Sequence, residues 1–158
     1  MNNIQIQNGL VSYTVVDAAG NPYAELSFNP ADPGIATRGE EINETLRAAV
    51  AQYQTESRSS GDVLKKLRAM REAESTIKNC IDYMLGADVS GTIFKRISPM
   101  ALCEDGSSYL ENVLNALTPE INLGFKERQA AARNQLASKA SGGRYDAAQL
   151  LEQLDKVE

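Results

Sequence analysis

The stretch "FNPADPGIATRGEEI", residues 28–42, decides the fold because a strand pattern and a helix pattern meet in it. Asn29-Pro30 ends the strand pattern, since proline cannot donate a hydrogen bond to a β-ladder. Asp32 then precedes Pro33, and aspartate favours the N-cap of a helix while proline favours its first position. The stretch therefore predicts a structural junction, with Asp32 and Pro33 as a cap, and an active-site loop is the alternative.

Residues 1–29, before the junction, carry β-structure patterns. Ile4 and Ile6 alternate with polar residues, and "LVSYTVV" (10–16) is rich in β-branched and aromatic residues. Residues 17–22, "DAAGNP", have the composition of a turn. In "YAELSF" (23–28) every second side chain is small or apolar: Ala24, Leu26 and Phe28. This segment predicts a β-hairpin, or a three-stranded sheet, that needs a surface to pack on.

Helical patterns dominate after the junction. Apolar residues recur at helical spacing to about residue 56, and a second helix is predicted over 62–85 with Gly86 as its C-terminal stop. Glu74 interrupts the apolar stripe of that second helix, which contains Val63, Leu67, Met70, Ile77, Ile81 and Met84. Pairing of Glu74 with Arg71 or Lys78 at the edge of the stripe is the simplest interpretation.

Two further segments leave alternatives open. Residues 88–107 form a loop-rich connector, in which Ile93 and Phe94 either anchor a short turn in the core or form a partner contact. A third helix begins near residue 109. At Thr118-Pro119 either that helix kinks or a new helix begins.

The C-terminal residues differ in character from the body. We predict one domain over 1–140, with a hairpin at 1–29 and a helical body at 30–140, then a flexible joint and a short amphipathic helix over 141–158. The apolar face of that last helix folds back on the body or docks on another chain, including a second copy in a homo-oligomer. These candidate partner-binding residues are Ala147, Leu150, Leu151, Leu154 and Val157. The predicted class is α+β, mostly α, with an N-terminal β-hairpin or small sheet followed by a bundle of three to five helices.

Composition argues against several kinds of chemistry. The 158 residues include no histidine and only two cysteines, Cys80 and Cys103, so neither a histidine-dependent catalytic triad nor a zinc site is expected. The acids are scattered, and we predict no catalytic residues, metal or cofactor. A net charge of −5 disfavours nucleic acid as a partner. The basic cluster at 65–71 is interpreted as a solvated helix face.

No membrane association is expected, because the sequence has no apolar run of about 18 residues. A basic region followed by an apolar one, which is typical of a signal peptide, is also missing from the N-terminus. A cytoplasmic protein is therefore predicted.

Two segments carry a family resemblance. "FNPADPGI" (28–35) and "IDYMLGADVSGTIF…SPMALCEDGSSYLENVLNAL" (81–94 and 98–117) resemble the tail assembly chaperones of long-tailed phages and prophages. In that family a strand runs into an Asn-Pro-x-Asp helix start, a later helix ends at Leu-Gly, and a phenylalanine-containing turn and an Asp-Gly loop follow. The matching positions are Asn29, Pro30, Asp32, Leu85, Gly86, Phe94, Asp105 and Gly106.

The resemblance implies a non-enzymatic role in the cytoplasm of a host cell. Such chaperones keep the long, helical tape-measure protein soluble and help to bring tail-tube subunits to it. Two other functions stay open: a structural virion component, such as a tail-completion or head–tail connector protein, and a bacterial adaptor or regulatory domain.

Overall fold

The computed structural model describes residues 1–59 and 61–142. It confirms the predicted class, because the described residues are 60% helical and form a two-stranded antiparallel hairpin followed by four helices. In chain order the elements are β1 (Val11–Val16), β2 (Pro22–Phe28), α1 (Gly34–Arg58), α2 (Val63–Leu85), α3 (Ser90–Ile93) and α4 (Tyr109–Gly142).

The hairpin is built around an aspartate turn and shows one buried face. Val11 pairs with Phe28 at the open end, and at the turn Asp17 accepts hydrogen bonds from the backbone N–H groups of Ala19 and Asn21, each at 2.9 Å. Leu26 and Phe28 are buried, as the alternation in β2 predicts.

The third strand is absent from the described residues. Ile4 and Ile6 are 86% and 75% exposed, and residues 1–10 contain no strand. Gly9 has a left-handed φ of +73°, and the Asn8 side chain accepts a hydrogen bond from the Leu10 N–H. These two features turn the chain before β1, so the Ile4–Ile6 alternation does not extend the sheet.

Helices α1 and α2 form an antiparallel helical hairpin. Asp62 caps α2 by accepting a hydrogen bond from the Leu64 N–H at 3.0 Å. Gly86 ends α2 in the left-handed conformation, with φ +65°, which is the predicted stop. At the other end of the pair, the Lys66 ammonium group donates to the Ser59 carbonyl at the end of α1.

The core lies between the inner face of the hairpin and the helices. Phe28, Ile77, Ile81 and Val89 are fully buried in it, and the Phe28 ring stacks on Tyr13 at 5.1 Å. Burying each such side chain contributes about 1.5–3 kcal/mol relative to exposure. A two-stranded hairpin is marginal alone, so this packing explains its presence.

Helix α4 continues through Thr118-Pro119, so the alternative in which a new helix begins there is wrong. The Thr118 hydroxyl donates to the Leu114 carbonyl at 2.7 Å, and both Thr118 and Pro119 lie on the exposed side. Ser141 and Gly142 are helical, although the sequence predicts a joint there. The predicted amphipathic segment beyond residue 142 lies outside the described residues.

Candidate interaction surface

Ile93 and Phe94 lie in the core. They are 5% and 3% exposed, the Phe94 ring meets Tyr109 edge-on at 5.8 Å, and the Tyr109 hydroxyl donates to the Ile93 carbonyl. Burial, followed by the hydrogen bond with Tyr23, raises the pKa of Tyr109 above its ordinary value. The assignment of Ile93 and Phe94 as partner contacts is therefore corrected, because the folded chain covers both side chains.

The junction around Asp32 joins the start of α1 to the end of α2. One carboxylate oxygen accepts the Gly34 N–H at 2.8 Å, and the other pairs with the Arg38 guanidinium at 2.7 Å. Arg38 also donates through Nε to the Met84 carbonyl at 3.1 Å. The helix begins at Gly34, so Pro33 and not Asp32 is the N-cap residue by the helix bounds, and Pro33 makes no side-chain cap hydrogen bond. Asp32 still acts as a cap from one residue further out, because its carboxylate accepts the Gly34 N–H of the first turn. These contacts are structural in kind.

Asp32→Ala is expected to lower the free energy of unfolding by about 0.5–2 kcal/mol, the usual effect of losing an N-cap side chain. The hydrogen bond from Arg38, followed by that from Gly34, lowers the pKa of Asp32. A lowered folded-state pKa stabilises the protein above the ordinary aspartate range and loses this effect as the pH falls through the folded-state value. In urea denaturation, the difference in unfolding free energy between the wild type and Asp32→Ala should therefore be smaller at about pH 3 than at neutral pH.

The control for this experiment is Asp88→Ala. Asp88 is an exposed aspartate after α2, and its removal should change stability by less than about 0.5 kcal/mol. Equal effects of the two substitutions would contradict a capping role for Asp32.

Two titratable side chains of α2, those of Glu74 and Cys80, lie in structural contacts. The Ser98 hydroxyl donates to Glu74, so Ser98, and neither Arg71 nor Lys78, is the observed partner of this carboxylate. Cys80 is buried in α2, and burial raises the pKa of its thiol, which makes it a poor nucleophile. Among the residues that the structure covers, no cluster of histidine, cysteine or acidic side chains could hold a metal ion.

One group of solvent-exposed apolar side chains lies at the start of α2, and another lies in residues 1–10. Val63, Leu64 and Leu67 are 65%, 73% and 48% exposed. The sequence predicts Val63 and Leu67 in a packed stripe, but residues 54–58 of the opposing helix, "QTESR", offer no apolar side chain to cover them. The sequence could have revealed this exposure, because the end of α1 has no apolar residue that could pack against Val63 and Leu67.

Two arginines share a helical face with these leucines. Leu64, Leu67, Arg68 and Arg71 follow the spacing i, i+3, i+4 and i+7, so they lie on one side of α2, and we refer to these four residues as the tip face. Arg68 and Arg71 are exposed. Within the described ranges the one ion pair joins Asp32 to Arg38, so neither arginine of the tip face is paired there.

The tip face combines apolar and basic side chains. Leu64 and Leu67 are exposed leucines, and the guanidinium groups of Arg68 and Arg71 are exposed beside them. The candidate partner-binding residues at positions 147–157 lie outside the described residues.

Comparison with known proteins found no match, so the tip face is the main evidence on function. No family model matches the chain, and no curated protein or solved structure matches it. In the part of the chain that the structure describes, no helix is long and apolar enough to cross a membrane.

Proposed function

We propose that this protein is a tail assembly chaperone of a long-tailed phage or prophage. It acts in the host cytoplasm without catalysis, keeps the tape-measure protein soluble and helps to recruit tail-tube subunits. The observation that carries this proposal is the exposed, apolar and basic tip face at one end of the α1–α2 pair.

The tip face suits a helical client. An amphipathic helix is commonly recognised through apolar anchors on one face, and Leu64 and Leu67 provide a complementary apolar strip. Covering such anchors on a long helical protein removes the apolar surface through which its copies would aggregate. Arg68 and Arg71 favour a client segment with acidic residues beside its anchors.

The residues that carry the family resemblance also support the proposal, because they lie at turns, at a helix end and in the core of the fold. Asn29 accepts hydrogen bonds from the Ala31 N–H and from Arg128, and Gly86 ends α2. Phe94 is buried, and Gly106 makes a left-handed turn beside Asp105. Two chains with the same fold are expected to share residues at such structural positions.

The double substitution Leu64→Asp/Leu67→Asp is expected to weaken binding of a co-expressed tape-measure fragment by at least about tenfold. Truncating central apolar anchors commonly costs about 2 kcal/mol or more of binding free energy, and a buried carboxylate adds to that cost. Co-purification and size-exclusion chromatography measure the complex. Circular dichroism should show an intact fold, since both leucines are exposed.

Leu102→Asp is the matched control, because Leu102 is 77% exposed and lies outside α2. It should leave the complex intact. Undiminished binding by the double variant would exclude the tip face as the client surface.

Gene position and virion content separate this proposal from its alternatives. A chaperone gene should lie between the tail-tube gene and a very long tape-measure gene, and the protein should be absent from finished particles. Its presence in purified virions would favour a structural component, and a gene remote from tail genes would favour a bacterial adaptor domain.

A further inference from the structure

The first seven residues make no hydrogen bond with any other described residue. All seven are exposed, and Ile4 and Ile6 are 86% and 75% exposed. Residues 2–7, "NNIQIQ", contain no charge, proline or glycine, and isoleucine alternates with glutamine in them. Such a composition favours a β-strand that pairs with another chain. We refer to residues 2–7 as the N-terminal arm.

Two hydrogen bonds hold the base of this arm on the body of the protein. Arg128 of α4 donates to the Gly9 carbonyl at 2.8 Å, and the Asn29 side chain donates to the Asn8 carbonyl at 3.2 Å. An Asn-Gly pair usually closes a tight hairpin in which both residues have positive φ. Gly9 has a φ of +73°, but no described residue other than glycine has a positive φ. The arm therefore does not fold back as a strand onto β1 of its own chain.

The outer edge of β1 has neither a partner strand nor most of the usual protection of an edge. Among the described residues the sheet has two strands, so β1 is paired on one side only, with β2. Its six residues, "VSYTVV", include no charge, proline or glycine, and its register is irregular only beside the turn, at Val15/Val16. Natural edge strands usually carry charges or prolines, which discourage pairing with other chains. In contrast, β2 contains Pro22 and Glu25 and packs against α3.

The inner face of the hairpin is covered less well at β1 than at β2. Leu26 and Phe28 of β2 are 4% and 0% exposed, whereas Val11, Tyr13 and Val15 of β1 are only partly buried. A third strand at the outer edge of β1 would extend this inner face. Because side chains alternate along a strand, the two isoleucines of an N-terminal arm can both point inward there and cover the partly buried residues.

We propose that this protein forms a symmetric dimer, in which the N-terminal arm of each copy adds as a third strand to the outer edge of β1 in the other copy. Each copy has one free arm and one free edge, so two copies related by a twofold axis pair both arms and both edges. The first sixteen residues have no charged side chain, so the arm and the edge are alike in being uncharged. Backbone hydrogen bonds and the burial of the isoleucines hold the copies together. This inference goes beyond the proposed function and does not depend on it.

Analytical ultracentrifugation of the full-length protein over a dilution series tests the dimer. The wild type should be dimeric at high concentration. Ile4→Asp/Ile6→Asp should raise the dimer dissociation constant by at least about tenfold, because carboxylates then replace the isoleucines on the inner face of the added strand. Circular dichroism should show an intact fold, since the arm makes no contact that holds the body together.

Leu102→Asp/Leu136→Asp is the matched control for the arm substitutions. It makes the same change in net charge at apolar residues that are 77% and 67% exposed, but outside the arm and β1. The dissociation constant of this variant should equal that of the wild type.

Amide hydrogen exchange of residues 11–16 distinguishes an arm from the second copy from an arm of the same chain. Dilution of the wild type into the monomer should accelerate exchange at the outer edge of β1 by roughly tenfold or more, to the rate of Ile4→Asp/Ile6→Asp. The proposal is overturned by a wild type that is monomeric throughout the series, or by a dimer that the arm substitutions leave intact. It is equally overturned if the protection of this edge persists in the monomer.

Discussion

Phe94→Ala is expected to lower the free energy of unfolding by about 3–5 kcal/mol, a large part of the roughly 5–15 kcal/mol that stabilises a domain. The Phe94 side chain is 3% exposed and packs edge-on against Tyr109, so its removal leaves a cavity at the junction of α3 and α4. Equilibrium urea denaturation measures the change. Partner binding should fall only as far as the folded fraction falls.

Leu102→Ala provides the comparison for Phe94→Ala. Leu102 is a large apolar residue of the same connector but is 77% exposed, so its truncation should cost less than about 0.5 kcal/mol. If Phe94→Ala kept full stability and abolished partner binding, the assignment of Phe94 to the core would be wrong.

Asp82→Ala is expected to cost several kcal/mol, because one carboxylate organises the turn between α2 and α3. One oxygen of Asp82 accepts the N–H groups of Val89 and Ser90 at 2.8 and 2.7 Å, and the other accepts the Ser90 hydroxyl. Val89 and Ser90 are buried, and each buried N–H left without a partner costs about 1–3 kcal/mol. Denaturation and amide exchange at these two positions measure the loss.

Asp82→Asn separates hydrogen bonding from other effects of the alanine substitution. The amide oxygen of asparagine can still accept both N–H groups, so this variant should keep most of the stability that Asp82→Ala loses. Equal losses in the two variants would show that the turn depends on the charge of Asp82 and not on its acceptor oxygen.

Local patterns in the sequence identify most of the elements of this fold. The Asn29-Pro30 break and the Gly86 stop each act within a few residues, and the structure ends β2 at Phe28 and α2 at Leu85, close to them. Ile93 and Phe94 are also buried in the core, as their apolar side chains favour. Such features are predictable because their physical causes lie in neighbouring residues.

Long-range contacts explain what the sequence could not reveal. Asp82 lies in the last turn of α2, where the helix dipole disfavours an acid, and its role depends on N–H groups seven and eight residues later. Glu74 contacts Ser98 across a loop, although Arg71 and Lys78 are nearer in sequence. Of the tip face, the sequence pattern indicated the basic cluster and Leu67 but not Leu64, and it placed Leu67 in a packed stripe. The exposure of both leucines depends on the polar end of α1.

The contacts between the N-terminal hairpin and α4 also set an order of events on the ribosome. Tyr23 meets Tyr109 across 86 residues, and Gly9 meets Arg128 across 119. At roughly 5–20 residues per second, the hairpin waits on the order of 5–20 s after its own synthesis before α4 emerges. During that interval α4 does not yet cover Leu26 and Phe28, and transiently exposed apolar surface of this kind favours aggregation.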